Sequence, residues 1–316
     1  MITSVTLNPC IDETLFVDGL LVHDRNEVRL LEVDAGGKGV NLSRIVAALG
    51  GETVAIGFLG GGPGAFIRQV LDRQGVRHSF TELDQDTRTN FIVEDGSGRP
   101  PTVFTQRGPD VTEVRWSEFS GSFDSWLRQS KWLAIGGSVP PGLGPAHVVE
   151  LGRRARAHGV PWFLDADGDL FAEGLKAGPD LIKPNRDEAA RWLGHAVKDQ
   201  QDALDAALRF LEAQSRAGAP DPTAVVSLGS KGAVLARAEG TWVGSPIRVE
   251  PKSTIGSGDS MIGAMLHRRC LGETWPEALA WGLAAGAATA MTDGTQIGQR
   301  ADIERLASQA LVDRAS

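Results

Sequence analysis

Apolar residues along the chain follow two rhythms. Continuous apolar runs at 53–59, 132–135, 160–164, 180–183 and 223–228 predict strands buried on both faces. Between them, apolar positions recur at helical spacing. Leu42, Ile45, Val46 and Leu49 fall at i, i+3, i+4 and i+7, and Gly50-Gly51 supplies the stop. Ile262, Met265 and Leu266 begin the same pattern after Gly258, and Cys270 closes the stripe. Strand–helix alternation over the whole length predicts an α/β fold with a mostly parallel central sheet and helices on both faces. The segment Met1 to Leu7 reads as the first strand. Two stretches break the rhythm. Residues 14–34 show β-like runs with no helix between them, and residues 90–106 read as a hairpin turning at Asp95-Gly96-Ser97-Gly98. Together, lid strands from about 12–34 and 88–107 predict a small second sheet beside the carboxyl edge of the large one, where open α/β folds bind ligands. There is no sustained repeat and no long flexible linker, so residues 1–316 are read as a single domain.

Composition narrows the function classes. The chain has 40 acidic and 32 basic residues, a net charge of −8. Such a surface repels polyanions, which argues against general binding to nucleic acid or to an anionic membrane. No apolar run approaches the ~18 residues that span a bilayer. The N-terminus lacks the basic start and cleavage site of a signal peptide. Two distant cysteines, Cys10 and Cys270, exclude a disulfide scaffold and predict reduced thiols in a cytoplasmic protein. The six histidines show no metal-ligand spacing. Glycine, at 39 of 316 residues, exceeds the usual ~7%.

The most informative segment is Ser253-Thr254-Ile255-Gly256-Ser257-Gly258-Asp259-Ser260, which runs into a helix. Small residues allow close backbone approach, and exposed N–H groups at a helix N-terminus favour an anion. Asp259 stands at the mouth of that site, and the positive helix end is expected to keep it ionised. Phosphoryl transfer needs this combination: donors for the transferring group and a base for the attacking hydroxyl. An ordinary loop before a helix explains the segment equally well when it is taken alone. Other phosphate motifs fail by inspection. Gly37-Lys38 is followed by Gly39, so no Walker A loop is present, and after Gly256-Ser257-Gly258 the next glycine is Gly263. A serine-hydrolase reading of Ser260 has no supporting signature.

Three further segments could serve the same chemistry. Asp34-Ala35-Gly36-Gly37-Lys38-Gly39-Val40-Asn41 offers glycines, a cation and an amide at a helix start, suited to a polyhydroxylated anion. Ser227-Leu228-Gly229-Ser230-Lys231-Gly232 follows a strand and suits nucleotide phosphates. Asn185 and Glu188 fall one helical turn apart, where they could hold water around Mg²⁺; a surface turn is the plainer explanation.

In order along the chain, these segments resemble the PfkB group of ribokinase-like carbohydrate kinases, nearly end to end. The matching motifs are Thr6-Leu7-Asn8-Pro9-Cys10-Ile11-Asp12, Gly36-Gly37-Lys38-Gly39-Val40-Asn41, Thr87-Arg88-Thr89-Asn90 and Gly137-Ser138-Val139-Pro140-Pro141-Gly142. They continue with Lys183-Pro184-Asn185 plus Glu188, Ser227-Leu228-Gly229 plus Gly232-Ala233, and Thr254-Ile255-Gly256-Ser257-Gly258-Asp259-Ser260-Met261. The opening motif and the first glycine motif resemble the phosphosugar branch, which contains 1-phosphofructokinase, tagatose-6-phosphate kinase and a 6-phosphofructokinase. Within it, 1-phosphofructokinase is the best match.

The resemblance implies a ribokinase-like fold with a β-sheet lid and the following roles. Asp259 is the base, and Gly256, Ser257 and Gly258 form the anion hole. Asp12, Gly36, Gly37, Lys38, Gly39, Asn41, Arg88 and Ser138 hold the phosphosugar. Lys183, Asn185, Ser227, Gly229, Gly232 and Gly258 line the ATP site. Asn185 and Glu188 organise Mg²⁺ through water, and the Ser253 and Ile255 carbonyls face a K⁺ site. A homodimer through the lid sheet is also implied. The expected reaction is ATP-dependent phosphorylation of D-fructose 1-phosphate, with tagatose 6-phosphate and fructose 6-phosphate as alternatives. A non-catalytic sugar-phosphate sensor is the competing class, and the intact Asp259 with its glycine loop argues against it.

Three segments depart from the family pattern. The lid segment Asn26-Glu27-Val28-Arg29-Leu30 leaves Arg29 either replacing a lost phosphate contact or facing solvent. Asp165-Ala166-Asp167-Gly168 brings an extra acid, Asp167, toward an anionic substrate. Cys10, two residues before Asp12, reads as a small core residue, with thiol modification as the sharper alternative.

Overall fold

The structure is a computed structural model that describes residues 1–98 and 101–315. Arg99 and Pro100, inside the expected lid stretch 88–107, lie outside the described residues, as does Ser316. The first half of the chain forms β1 (Ile2–Thr6), β2 (Cys10–Val17), β3 (Val28–Gly36), α1 (Lys38–Ala48), β4 (Thr53–Gly60), α2 (Gly61–Arg73), β5 (Arg77–Leu83), β6 (Arg88–Glu94), β7 (Thr102–Phe104), α3 (Glu113–Leu127), β8 (Trp132–Gly136) and α4 (Pro145–Ala157). The second half forms β9 (Trp162–Asp165), α5 (Gly168–Leu175), β10 (Leu181–Ile182), α6 (Arg186–Leu193), α7 (Gln200–Arg216), β11 (Thr223–Ser227), β12 (Ala233–Arg237), β13 (Gly240–Gly244), α8 (Ser257–Cys270), α9 (Trp275–Ala290), α10 (Arg300–Ala307) and β14 (Val312–Arg314).

The large sheet has the order β14-β13-β12-β11-β10-β9-β8-β1-β4-β5. From β11 to β5 all pairings are parallel. The chain winds from β1 to β4 and β5 on one side, then returns to β8 and proceeds outward the other way. The order therefore reverses between β1 and β8, and a crevice opens there at the carboxyl ends of the strands. The unbroken apolar runs have a direct explanation. Val54, Ile56 and Phe58 of β4 enter one core, while Ala55 and Leu59 enter another on the opposite face. Leu133 and Ile135 of β8 likewise oppose Trp132 and Ala134. Successive side chains point to opposite faces, and both faces are covered by helices.

Two strands are shorter than their apolar runs. β9 starts at Trp162, after Pro161, which has no N–H to donate. β10 is only Leu181–Ile182, because Asp180 turns its side chain back to accept from the Trp162 amide at 2.9 Å. The parallel pattern also gives way at one edge, where β12, β13 and β14 pair antiparallel. A tight connection between β12 and β13 leaves no room for a crossover helix.

The expected lid forms a separate sheet of order β3-β2-β6-β7. β2 and β6 pair parallel at its centre, with β3 and β7 antiparallel outside them. Leu30, Leu31, Val33, Val103 and Phe104 on the two outer strands are exposed. Arg29 faces solvent and pairs with exposed Asp18 at 3.7 Å. The basic run Arg153-Arg154-Ala155-Arg156 is partly structural. Arg154 binds Asp124 at 2.8 Å, and Arg156 donates to the Gly218 carbonyl at 2.6 Å. Arg154 reaches across to α3, and Arg156 reaches the turn that follows α7.

Helices α1 and α8 cross closely because Gly263 has no side chain. A Cβ there would lie 2.8 Å from the Leu42 carbonyl and 3.2 Å from Ile45 Cβ. Both groups belong to a helix with little freedom to yield. Gly263→Ala is therefore expected to lower stability by about 1–3 kcal/mol. Urea unfolding monitored by circular dichroism checks this; an unchanged midpoint would contradict the close crossing.

Candidate active site

The crossing of α1 and α8 brings two helix N-termini to the crevice between β1 and β8. Asp259 lies in the first turn of α8 and Asn41 in the first turn of α1. Asn41 Nδ2 donates to Asp259 Oδ2 at 3.0 Å. The amide is itself held: Arg44 Nη1 donates to Asn41 Oδ1 at 3.3 Å and to the Ala35 carbonyl at 2.9 Å. Arg44 is buried and pairs with Asp34 at 3.6 Å. The chain Asp34–Arg44–Asn41–Asp259 thus sets the direction of the carboxylate.

Burial pushes the Asp259 pKa up to about 6. Nearby Lys38, the Asn41 hydrogen bond and Lys183 pull it down, and Asp165 adds to the rise. The positive helix end was expected to keep this group ionised; desolvation outweighs that influence, though the ionised form still prevails at neutral pH. A carboxylate in this range is matched to general-base work.

Lys38, at the start of α1, forms an ion pair with buried Asp165 at the end of β9. Burial opposes its charge, but Asp165 and then Asp259 outweigh burial and hold the ammonium above its usual range. Glu188 also acts on Lys38. Lys183, buried just past β10, sits over the first turn of α8, where a Cβ on Gly258 would lie 3.1 Å from its Nζ. Gly256, the N-cap of α8, adopts a left-handed φ of 77° and supplies no side-chain cap. The Ser257 amide reaches the Thr254 carbonyl at 3.4 Å, and the Ser257 Oγ is buried without a partner among the described residues. The structure thus groups Asp259, Gly256, Ser257, Gly258, Lys38, Asn41 and Lys183.

The lid side of the site carries Asp12, whose Oδ1 accepts from Asn90 Nδ2 at 2.9 Å and from the Cys10 thiol at 3.2 Å. Burial, then the Asp12 charge, pushes the Cys10 thiol well above its usual range. The thiol stays protonated and shielded, which supports the core reading over the modification reading. Arg88 was expected to hold the phosphosugar. Here its guanidinium clamps the lid base, donating to the Asn8 carbonyl at 3.1 and 3.2 Å, to Asn90 at 3.1 Å and to the Gln106 carbonyl at 3.0 Å. Ser138 accepts from Asn8 Nδ2 at 3.1 Å.

The glycines divide into two kinds. Gly36, Gly39 and Gly232 are required by the protein itself: a Cβ would lie 2.2 Å from Asp12 Oδ2, 2.6 Å from Thr6 Oγ1 and 2.1 Å from the Gly244 carbonyl, respectively. Gly37 combines a φ of 117° with Thr6 Cγ2 2.7 Å from its absent Cβ. Of the glycines assigned to the site from the sequence, Gly229, Gly256 and Gly258 leave their free side without such a backbone or short-side-chain clash.

At the far end, Asn185 and Glu188 form the capping box of α6. Asn185 Oδ1 accepts from the amides of Asp187 and Glu188 at 3.0 and 2.9 Å, and Glu188 Oε2 accepts from the Asn185 amide at 2.8 Å. Asn185 is thereby committed to the helix start, and Glu188 keeps one oxygen free of that cap. Ser227 bridges to this loop, its amide donating to the Pro184 carbonyl at 3.1 Å. Ser253 and Ile255 lie in the loop entering α8, which is tied to the Ala290 carbonyl by the Lys252 amide at 2.7 Å. Asp167 does not enter the site. It caps α5 and pairs with Arg191 at 2.7 Å. No group of three or more potential His, Cys, Asp or Glu metal ligands occurs among the described residues.

Sequence reasoning assigned no role to Asp165, Arg44, Asn8 or Asn90. Asp165 ends a buried strand before a loop, a position that signals a site in parallel sheets. Arg44 sits on an apolar helix face, where a charge needs a reason.

The chain as a whole is similar to known proteins. Residues 5–302 match the pfkB family carbohydrate kinase profile. The 1-phosphofructokinase of Haloferax volcanii is 31% identical over 307 residues, covering 96% of this chain and 95% of the relative. That of Escherichia coli K12 is 31% identical over 266 residues, covering 84% and 83%. Structures of Escherichia coli phosphofructokinase-2, in complex with potassium and with fructose-6-phosphate, superpose with TM-scores of 0.88 and 0.86 at 27% and 26% identity, over 98% of both chains. The chain belongs to the pfkB family of carbohydrate kinases.

Proposed function

We propose that the protein transfers the γ-phosphoryl group of ATP to a hydroxyl of D-fructose 1-phosphate. The observation that carries this reading is Asp259, oriented by Asn41 in the first turn of α8 with its pKa near 6. Asp259 accepts the hydroxyl proton as the oxygen attacks phosphorus in line. The amides around Gly256 to Gly258 and the ammonium groups of Lys38 and Lys183 stabilise charge on the transferring group. Asp12, held by Asn90, positions sugar hydroxyls, and the Gly229 turn lines the nucleotide.

ATP brings a divalent cation, taken here as Mg²⁺. The free oxygen of Glu188 would hold it through water, as suits an ion that keeps much of its hydration. Bound there, the cation neutralises phosphate charge. K⁺ at the Ser253 and Ile255 carbonyls is supported by the potassium complex of a structural neighbour. A homodimer through the lid is supported by the exposed apolar residues of β3 and β7. The absence of any described helix long and apolar enough to cross a membrane is consistent with a cytoplasmic enzyme.

Three outcomes test these readings. In a coupled ADP-release assay over the three candidate sugars, fructose 1-phosphate is expected to show the highest kcat/KM. A higher value for tagatose 6-phosphate or fructose 6-phosphate reassigns the substrate, and no turnover with any of them supports the sensor. Only ionised Asp259 accepts a proton, so kcat/KM should rise about tenfold per pH unit below about 6 and level off above it. Asp259→Asn should abolish that dependence and cost about 10²–10⁴-fold in kcat with ATP binding retained by calorimetry; a near-normal rate would sink the mechanism. Sedimentation should show the protein near twice its 33.5 kDa chain mass, and Leu31→Glu with Phe104→Glu should shift it to a single chain.

A further inference from the structure

The edge of the sheet opposite the catalytic crevice holds a second cavity, of about 360 Å³. It opens at the amino ends of the parallel strands. Trp132 begins β8, Asp180 precedes β10 and Asp221 precedes β11, while Arg156, Arg269 and Trp275 come from α4, α8 and α9. Its volume falls within the range of small-molecule sites.

The hydrogen-bonding inventory of this cavity is one-sided. Three side chains that line it carry a buried donor with no partner among the described residues: Trp275 Nε1, Arg269 Nε and Arg156 Nε. Trp275 is only 4% exposed, so its indole N–H has little access to bulk solvent. Unpaired buried donors cost free energy and call for an explanation. The acids of the cavity have hydrogen-bond and ion-pair partners of their own. Asp180 Oδ2 accepts from the Trp162 amide at 2.9 Å, and Asp221 pairs with Arg237 at 2.6 Å. Arg237 also binds Glu239 at 2.6 Å, so its charge is matched locally. Arg156 and Arg269 are the cations that line the cavity, with Asp180 acting on the first and Asp221 on the second. Trp275 is the first residue of α9, so the positive end of that helix adds to the field.

The aromatic wall is rigid. Trp132 meets Trp275 edge-on, with centroids 5.9 Å apart, and the Arg269 guanidinium stacks 4.9 Å from the Trp275 ring. Burial, then neighbouring Arg237, pushes Arg269 below its ordinary pKa, which an incoming negative charge would relieve.

From this geometry we propose that the cavity between Trp132, Trp275, Arg156 and Arg269 is a binding site for a small oxyanion, a phosphate or carboxylate compound, separate from the catalytic crevice. Guanidinium and indole N–H groups suit such acceptor-rich ligands. α8 carries Asp259 in its first turn and Arg269 in its last, so one rigid element joins the two sites. The proposal stands independently of the phosphosugar reading.

The test follows the indole N–H of Trp275 by ¹⁵N NMR of the full-length protein. Trp275→Phe removes that resonance and so assigns it. Titration with inorganic phosphate, and separately with citrate, at ionic strength matched with chloride, is expected to shift the Trp275 signal saturably. The apparent Kd should lie below about 10 mM for at least one of them, and Arg269→Gln should raise it at least tenfold. The remaining indole resonances report whether the variant stays folded. A response to phosphate alone assigns phosphate compounds, and one to citrate alone assigns carboxylates. No saturable shift with either anion, or an undiminished shift in folded Arg269→Gln, overturns the proposal.

Discussion

The contact between the first turns of α1 and α8 is the constraint on which the rest of the site depends. A charged hydrogen bond such as that from Asn41 to Asp259, at 3.0 Å, contributes about 1.5–3 kcal/mol. It exists only because Gly263 lets the two helices approach to a distance that no side chain would permit. α1 follows β3 of the lid sheet and α8 follows the loop after β13, so the two N-termini reach one crevice from different parts of the fold. Buried Arg44 then fixes the amide, and the amide fixes the carboxylate.

The electrostatics of the crevice follow from that crowding. Lys38 lies among Asp165, Asp259 and Glu188, and its charge restrains the rise that burial imposes on Asp259. The Asp259 carboxyl is thereby set at about 6 rather than at the ordinary carboxylate value. An anionic substrate entering a protein of net charge −8 meets local donors, not a favourable overall field. Those donors are the lysines and the amides of two helix starts.

The glycines show how one composition serves two ends. Gly36, Gly37 and Gly39 read as places for a ligand to touch backbone. Asp12 and Thr6 crowd the place a side chain would take at these positions. Their smallness lets the lid and the first strand close on α1, and so positions Asp12. Gly256 and Gly258 lie at the start of α8, which has no side-chain cap.

Much of the architecture was legible in the one-dimensional pattern. Strands buried on both faces must be apolar at every position, so the runs at 53–59, 132–135 and 223–228 announced a covered parallel sheet. The break in rhythm at 14–34 and 90–106 announced the lid. The ordered motifs carried the family and pointed to Asp259, because a carboxylate after a glycine turn at a helix start is a local feature. What the sequence could not decide depends on contacts between distant residues. Asn185 and Glu188 have the same spacing whether they serve a metal or a helix cap, and Asp167 has the same identity whether it faces substrate or Arg191. Arg88 reads as a phosphosugar contact, and its bonds to the Asn8 and Gln106 carbonyls appear only in the packed chain. The Asp259 pKa depends on burial and on Lys38, Asp165, Asn41 and Lys183 from separate parts of the chain, and the second cavity depends on donors brought together from α4, α8 and α9. Burial and pairing are properties of the packed chain, so only the tertiary structure decided them.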